Sequence, residues 1–130
     1  LPRRWGGELP VVVGGHGLGA WLALAVADTP GIAGALAFAP SLVAAGGPDP
    51  SSLGAAIAGA LARPPLDVPT LIVEGRERAP ADAAAVADWL AREPRASRLT
   101  VPGGDAAAFA PPWTLAATAW AAAVGKAAPR

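Results

Sequence analysis

The chain has one histidine, His16, and no cysteine. One imidazole leaves a single side chain suited to proton transfer near neutral pH. The lack of thiols removes a cysteine nucleophile, a disulfide scaffold and a thiolate metal site, and a lone histidine excludes histidine-rich metal centres. No metal is expected. His16 lies in the run Gly15-His16-Gly17-Leu18-Gly19. Glycines at that density between a strand and a helix serve two kinds of chemistry. They let a backbone approach a phosphate resting on the helix N-terminus, or they bracket a nucleophile at the centre of G-x-S-x-G. The other polar groups that could join such a turn are Ser41, the run Arg76-Glu77-Arg78, and Asp105.

The chain must hold such a site with little bulk. Its 130 residues give room for one domain. Ten basic and ten acidic side chains cancel, so no net field favours nucleic acid or anionic lipid. At 53% hydrophobic and 15% charged the chain is not a disordered one. With five Trp, two Phe and no Tyr, the core must be built mainly from small side chains. No targeting peptide is visible, because Glu8 and Pro10 interrupt the segment after Arg3-Arg4; a cytoplasmic location is favoured. The uncharged stretch from Thr29 to Pro48 is broken by prolines and glycines. That from Ala106 to Gly125 leaves about fourteen helical residues after Pro111-Pro112, roughly 21 Å against a bilayer core of about 30 Å. No membrane span is expected. The absence of Met is read as a sign of processing or of a longer parent.

Short apolar runs alternate with helical patterns, the signature of βα units and a parallel sheet. Strands are expected at Leu9–Val13, Ile32–Ala39, Val68–Gly75 and Ser97–Val101. Helices are expected at Leu18–Ala27, from a Ser51 or Ser52 cap to Ala62, at Ala81–Arg92 and at Pro112–Val124. The first helix should bury Leu18, Leu22, Ala25 and Val26, and the last Trp113, Ala117, Trp120 and Val124. The tryptophans read as core residues, with Trp5 the least defined, and Asp82, Asp88 and Arg92 as a polar helix face. Gly14–Gly19 and Pro102-Gly103-Gly104-Asp105 read as turns. Arg76, Glu77 and Arg78 read as a solvated loop cluster. The fold class is α/β: one domain over residues 1–130, with about four parallel strands in β-α-β-α-β-α-β-α order and helices on both faces. The first strand lacks the charge, lysine or bulge that blunts natural edges. It is expected to pair with a missing N-terminal half or with another chain.

Two readings of the glycine turn diverge downstream. Gly15-x-Gly17-x-x-Ala20 fits the dinucleotide fingerprint, which would place NAD or FAD on this turn. That reading wants a carboxylate at the end of the next strand, where the sequence has Phe38-Ala39-Pro40 and the next acid is Asp49.

The second reading carries further. Gly15-x-x-x-Gly19 after a strand is the frame of a nucleophile elbow. Val68-Pro69-Thr70-Leu71-Ile72-Val73-Glu74-Gly75 looks like the strand before a triad acid, and Val101-Pro102-Gly103-Gly104-Asp105-Ala106 with Phe109 looks like a histidine loop. From about residue 9 to 124 the chain resembles the C-terminal half of an α/β-hydrolase of the serine esterase and lipase kind. The resemblance implies carboxylic ester or related acyl substrates and no cofactor. It puts the nucleophile at Gly17, the acid at Arg78 and the base at Ala106, with the Leu18 N–H as an oxyanion donor.

All three triad-equivalent positions lack their reagent, so no activity is expected: Gly17 cannot attack a carbonyl and Ala106 cannot take a proton. Glycine at an elbow also removes backbone strain of about 1–3 kcal/mol. The residual polar groups are His16, Ser41, Glu77 and Asp105. Glu77 could act as a shifted acid, but Asp105 is a poor base near neutral pH. The expectation is a pseudoenzyme scaffold that binds a small apolar or acyl ligand, or a partner, at the rim around Gly17.

Overall fold

The computed structural model describes residues 9–41 and 53–128. Four strands, β1 (Val11–His16), β2 (Ile32–Phe38), β3 (Thr70–Glu77) and β4 (Ala96–Gly104), form one sheet in the order β1-β2-β3-β4. Every neighbouring pair is parallel. The connections carry helices α1 (Leu18–Val26), α2 (Leu53–Leu61) and α3 (Pro80–Leu90). After β4 come a four-residue helix, α4 (Asp105–Ala108), and the closing helix α5 (Trp113–Ala127). This is the α/β architecture that the alternation of apolar runs predicts, with one additional short helix.

Burial on both faces explains the unbroken apolar character of the central strands. On one face Ala35, Ala37 and Ile72 pack with Trp21 and Leu24 of α1, Ile57 and Leu61 of α2, and Val86 and Trp89 of α3. On the other, Leu36, Phe38, Leu71 and Val73 pack with Ala108 and with Ala117, Trp113 and Trp120 of α5. The expected α5 stripe is therefore the buried one. The Trp120 ring and the Val124 side chain also close over Gly34 of β2.

Three local expectations are corrected. β1 does not end at Val13: Gly14, Gly15 and His16 stay in register with Leu36, Ala37 and Phe38, which shrinks the expected six-residue turn to Gly17 alone. β4 does not end at Val101: after a register shift at Pro102-Gly103, where Gly103 takes φ 93°, pairing resumes between Gly104 and Glu77, and an edge strand tolerates the proline at such an irregularity. In α1, Leu22 and Val26 are exposed, at 41% and 46%, while Ala20, Trp21, Ala23 and Leu24 are buried. The largest side chain, Trp21, sets the helix's rotation, and the alanines let it sit close to the sheet. The Ser51 and Ser52 cap and Trp5 lie outside the described residues.

The two edges differ. β4 carries Arg98, Thr100 and Pro102, whereas β1 presents Val11-Val12-Val13 half-buried, preceded by an exposed Leu9. No helix among the described residues is long and apolar enough to cross a membrane.

Candidate functional site

Because all four strands run the same way, their C-terminal ends share one side of the sheet, and every singled-out residue lies there. Gly17 follows β1, Ser41 follows β2, Glu77 and Arg78 end β3, and Asp105 and Ala106 open α4 after β4. The chain after β2 ties the first of these together. Gly17 donates its N–H to the Phe38 carbonyl at 2.9 Å, and its own carbonyl accepts the N–H of Ser41 at 3.2 Å and of Ala20 at 3.2 Å.

Gly17 has φ 60° and ψ −121°, a conformation that side chains with a Cβ rarely adopt. A Cβ built there would have no heavy atom within 4 Å, so the turn faces open space. Gly15 has a different need. Its Cβ would overlap the backbone of Gly19, so the strand and the first turn of α1 can approach only with glycine at 15. Leu18, the first residue of α1, is partly buried, and no side chain caps the helix.

Beside the turn, the exposed imidazole of His16 meets Phe109 at a tilt of 51°, with ring centroids 4.8 Å apart. Phe109 meets Phe38 edge-on at 4.9 Å. Phe109 is half exposed, so the rim next to Gly17 is aromatic and apolar.

The other half of the site is ionic, and Arg78 is not the solvated loop residue expected from its neighbours. Its side chain is 2% exposed, with Nη1 on Glu74 Oε2 at 2.6 Å and Nη2 donating to the Pro40 carbonyl at 2.6 Å. Nε faces Asp105 Oδ1 at 3.2 Å. The same Asp105 oxygen accepts the Gly75 N–H at 3.2 Å. The second oxygen of Glu74 takes the guanidinium of Arg98 from β4. Two arginines and two carboxylates thus form a chain without net charge, and the pairing is what allows Glu74 and Arg78 to be buried. Arg76 and Glu77 are exposed in β3, and Ala106 is exposed at the start of α4.

No family model, curated protein or solved structure matches the chain.

The structure therefore brings together His16, Gly17 and Ser41 on one side and Arg78 and Asp105 on the other, with the segment Phe38–Ser41 between them. Glu77 and Ala106 lie at the same end but face solvent. Glu74 and Arg98 belong to this site and were not singled out from sequence. Their signal was present: Glu74 is the one charge in Thr70-Leu71-Ile72-Val73-Glu74-Gly75, and a carboxylate inside a central parallel strand must find a cation.

As chemistry, the assembly offers no nucleophile at Gly17, no base at Ala106, and at position 78 a cation already neutralised. No group of three or more His, Asp or Glu among the described residues is arranged to hold a metal ion. A shallow groove of about 370 Å³, lined by Asp28, Thr29, Pro30, Pro64, Pro65 and Asp67 among others, lies at the opposite end of the sheet. Its Asp67 is engaged by Arg95.

Proposed function

We propose that this chain is a non-catalytic relative of the α/β-hydrolases, a scaffold whose rim around Gly17 holds a small apolar or acyl ligand. The observation that carries this reading is Gly17 itself. It makes a one-residue strand-to-helix turn at φ 60° and ψ −121°, with clear space where a side chain would project. A sharp strand-to-helix turn of this kind is what a nucleophile elbow needs, and its presence with glycine at the centre supports the reading. The aromatic pair His16 and Phe109 supplies ring surface beside the turn, and the Arg98–Glu74–Arg78–Asp105 chain, without net charge, adds nothing that would select a highly charged ligand. The half-buried edge of β1 supports a further element of the same reading, a partner segment that continues the sheet there.

The dinucleotide reading has less support. A pyrophosphate loop needs the glycines to turn around the phosphate, and here Gly14 to His16 continue β1 and leave Gly17 alone as the turn. The end of β2 offers the Pro40 carbonyl, which is occupied by Arg78, and no carboxylate for a ribose.

The experiment is a comparison of three additions to the chain. p-Nitrophenyl acetate should be hydrolysed no faster than in buffer. Short-chain carboxylic acids and their methyl esters should raise the unfolding temperature in a saturable way, as any ligand of the folded state does. NAD and FAD should not. Ester turnover above buffer, or protection by the dinucleotides alone, would overturn the proposal.

A further inference from the structure

Arg78 touches three separate segments of the chain, and one of them is strained. Ala39 has φ 48°, the only positive φ at a non-glycine among the described residues. Such a residue persists where its surroundings over-determine it. Four contacts do so here: Phe38 accepts from Gly17, Ala39 donates to the Val73 carbonyl at 2.7 Å, Pro40 accepts from Arg78, and Ser41 donates to Gly17. Only the third is made by a side chain. The same guanidinium faces Asp105, which starts α4 and leads into Phe109 against His16.

We propose that Arg78 is the latch of this end of the fold. It holds the Ala39–Ser41 segment against Gly17 and α4 against β3, so that one buried cation fixes both walls of the rim. It is a positioning residue. Glu74, held from its other side by Arg98, aims the guanidinium; Asp105 is the link to α4. Without the bond to Pro40, Ala39 can relax to an ordinary φ and draw the Ser41 N–H away from the Gly17 carbonyl. This inference is independent of ligand binding and is tested on the free chain.

The test is amide hydrogen exchange by NMR on the whole chain and on Arg78→Met, Arg78→Lys, Asp105→Ala and Arg63→Met. Arg63 is the matched control. It is a largely buried arginine that bonds the Leu24 carbonyl at 3.0 Å and Glu93, at the opposite end of the sheet. In Arg78→Met the Ser41 and Gly75 amides should exchange about tenfold faster or more relative to those of α3. Arg78→Lys should behave alike, because an ammonium cannot span Glu74, Pro40 and Asp105 as a guanidinium does; it keeps the test available if the methionine variant does not fold. Asp105→Ala, which removes the acceptor, should release Gly75 and leave Ser41 protected. Arg63→Met should destabilise the chain without a selective change at Ser41. Unchanged Ser41 exchange in a folded Arg78 variant, or an equal selective increase in Arg63→Met, would overturn the assignment.

Discussion

Gly17 and Phe38 are joined by a 2.9 Å hydrogen bond from the glycine N–H to the phenylalanine carbonyl, across the C-terminal ends of β1 and β2. That bond fixes the turn from which the functional reading starts, and it is made at a backbone conformation suited to glycine. Gly17→Ala should fold, since its Cβ meets nothing, but should lose about 1–3 kcal/mol from backbone strain alone. Gly17→Ser should lose a similar amount and, under the proposed function, remain without ester turnover, because neither Arg78 nor Ala106 can accept a proton. Urea unfolding and an ester assay check both; unchanged stability would mean the turn is more relaxed than its dihedrals indicate.

Gly15 should be the less tolerant of the two glycines. Its added Cβ meets backbone rather than a movable side chain, at Gly19. Gly15→Ala should therefore cost at least about 3 kcal/mol or prevent folding, the upper range for overpacking. Circular dichroism and urea unfolding beside Gly17→Ala give the ranking directly.

Glu74 should be the most sensitive charged position. It is 1% exposed and serves two arginines, so Glu74→Gln leaves the buried Arg78 only the partly solvated Asp105 as a counter-charge and should cost about 3–5 kcal/mol. Arg98→Ala should cost less, because Arg98 is partly solvated and Glu74 keeps Arg78. Chemical denaturation of the pair measures the difference.

The rotation of α1 makes a further contrast. Leu24 is fully buried against the sheet, and Leu24→Ala should cost about 2–5 kcal/mol. Leu22, two residues earlier, is solvent-facing, and Leu22→Ala should fall within about 0.5 kcal/mol of the parent. Equal losses in the two variants would contradict the observed facing of the helix.

The sequence made the architecture legible because its signals were periodic and redundant. Val11-Val12-Val13, Ile32–Phe38 and Leu71-Ile72-Val73 are β-branched or apolar runs separated by helical stretches, and prolines or glycines mark most of the joints. Strand ends were legible less well, since glycine and proline read locally as turns. At Gly14-Gly15 the parallel pairing to β2 outweighs that preference, while Pro102-Gly103 form an irregularity within β4, with Gly103 at φ 93°, before pairing resumes at Gly104. The facing of α1 was misread because leucine and valine outrank alanine on any hydropathy scale. Close helix–sheet contact instead places Ala20 and Ala23 inward, with Trp21 filling the remaining space. At the site, the positions of Gly17, Ser41, Arg78 and Asp105 at one end follow from strand order. The burial of Arg78 does not, because the carbonyl of Pro40 and the carboxylate of Asp105 lie 38 and 27 residues away along the chain.

The most direct measurement uses the chain's only imidazole as a reporter. A methyl butyrate titration followed by two-dimensional NMR at fixed pH should shift the His16 ring signals and the Leu18 amide together along one saturable curve, with the ester intact at the end. Signals that stay fixed through millimolar ester while residues elsewhere move, or the appearance of butyrate and methanol, would contradict a non-catalytic binding rim at Gly17.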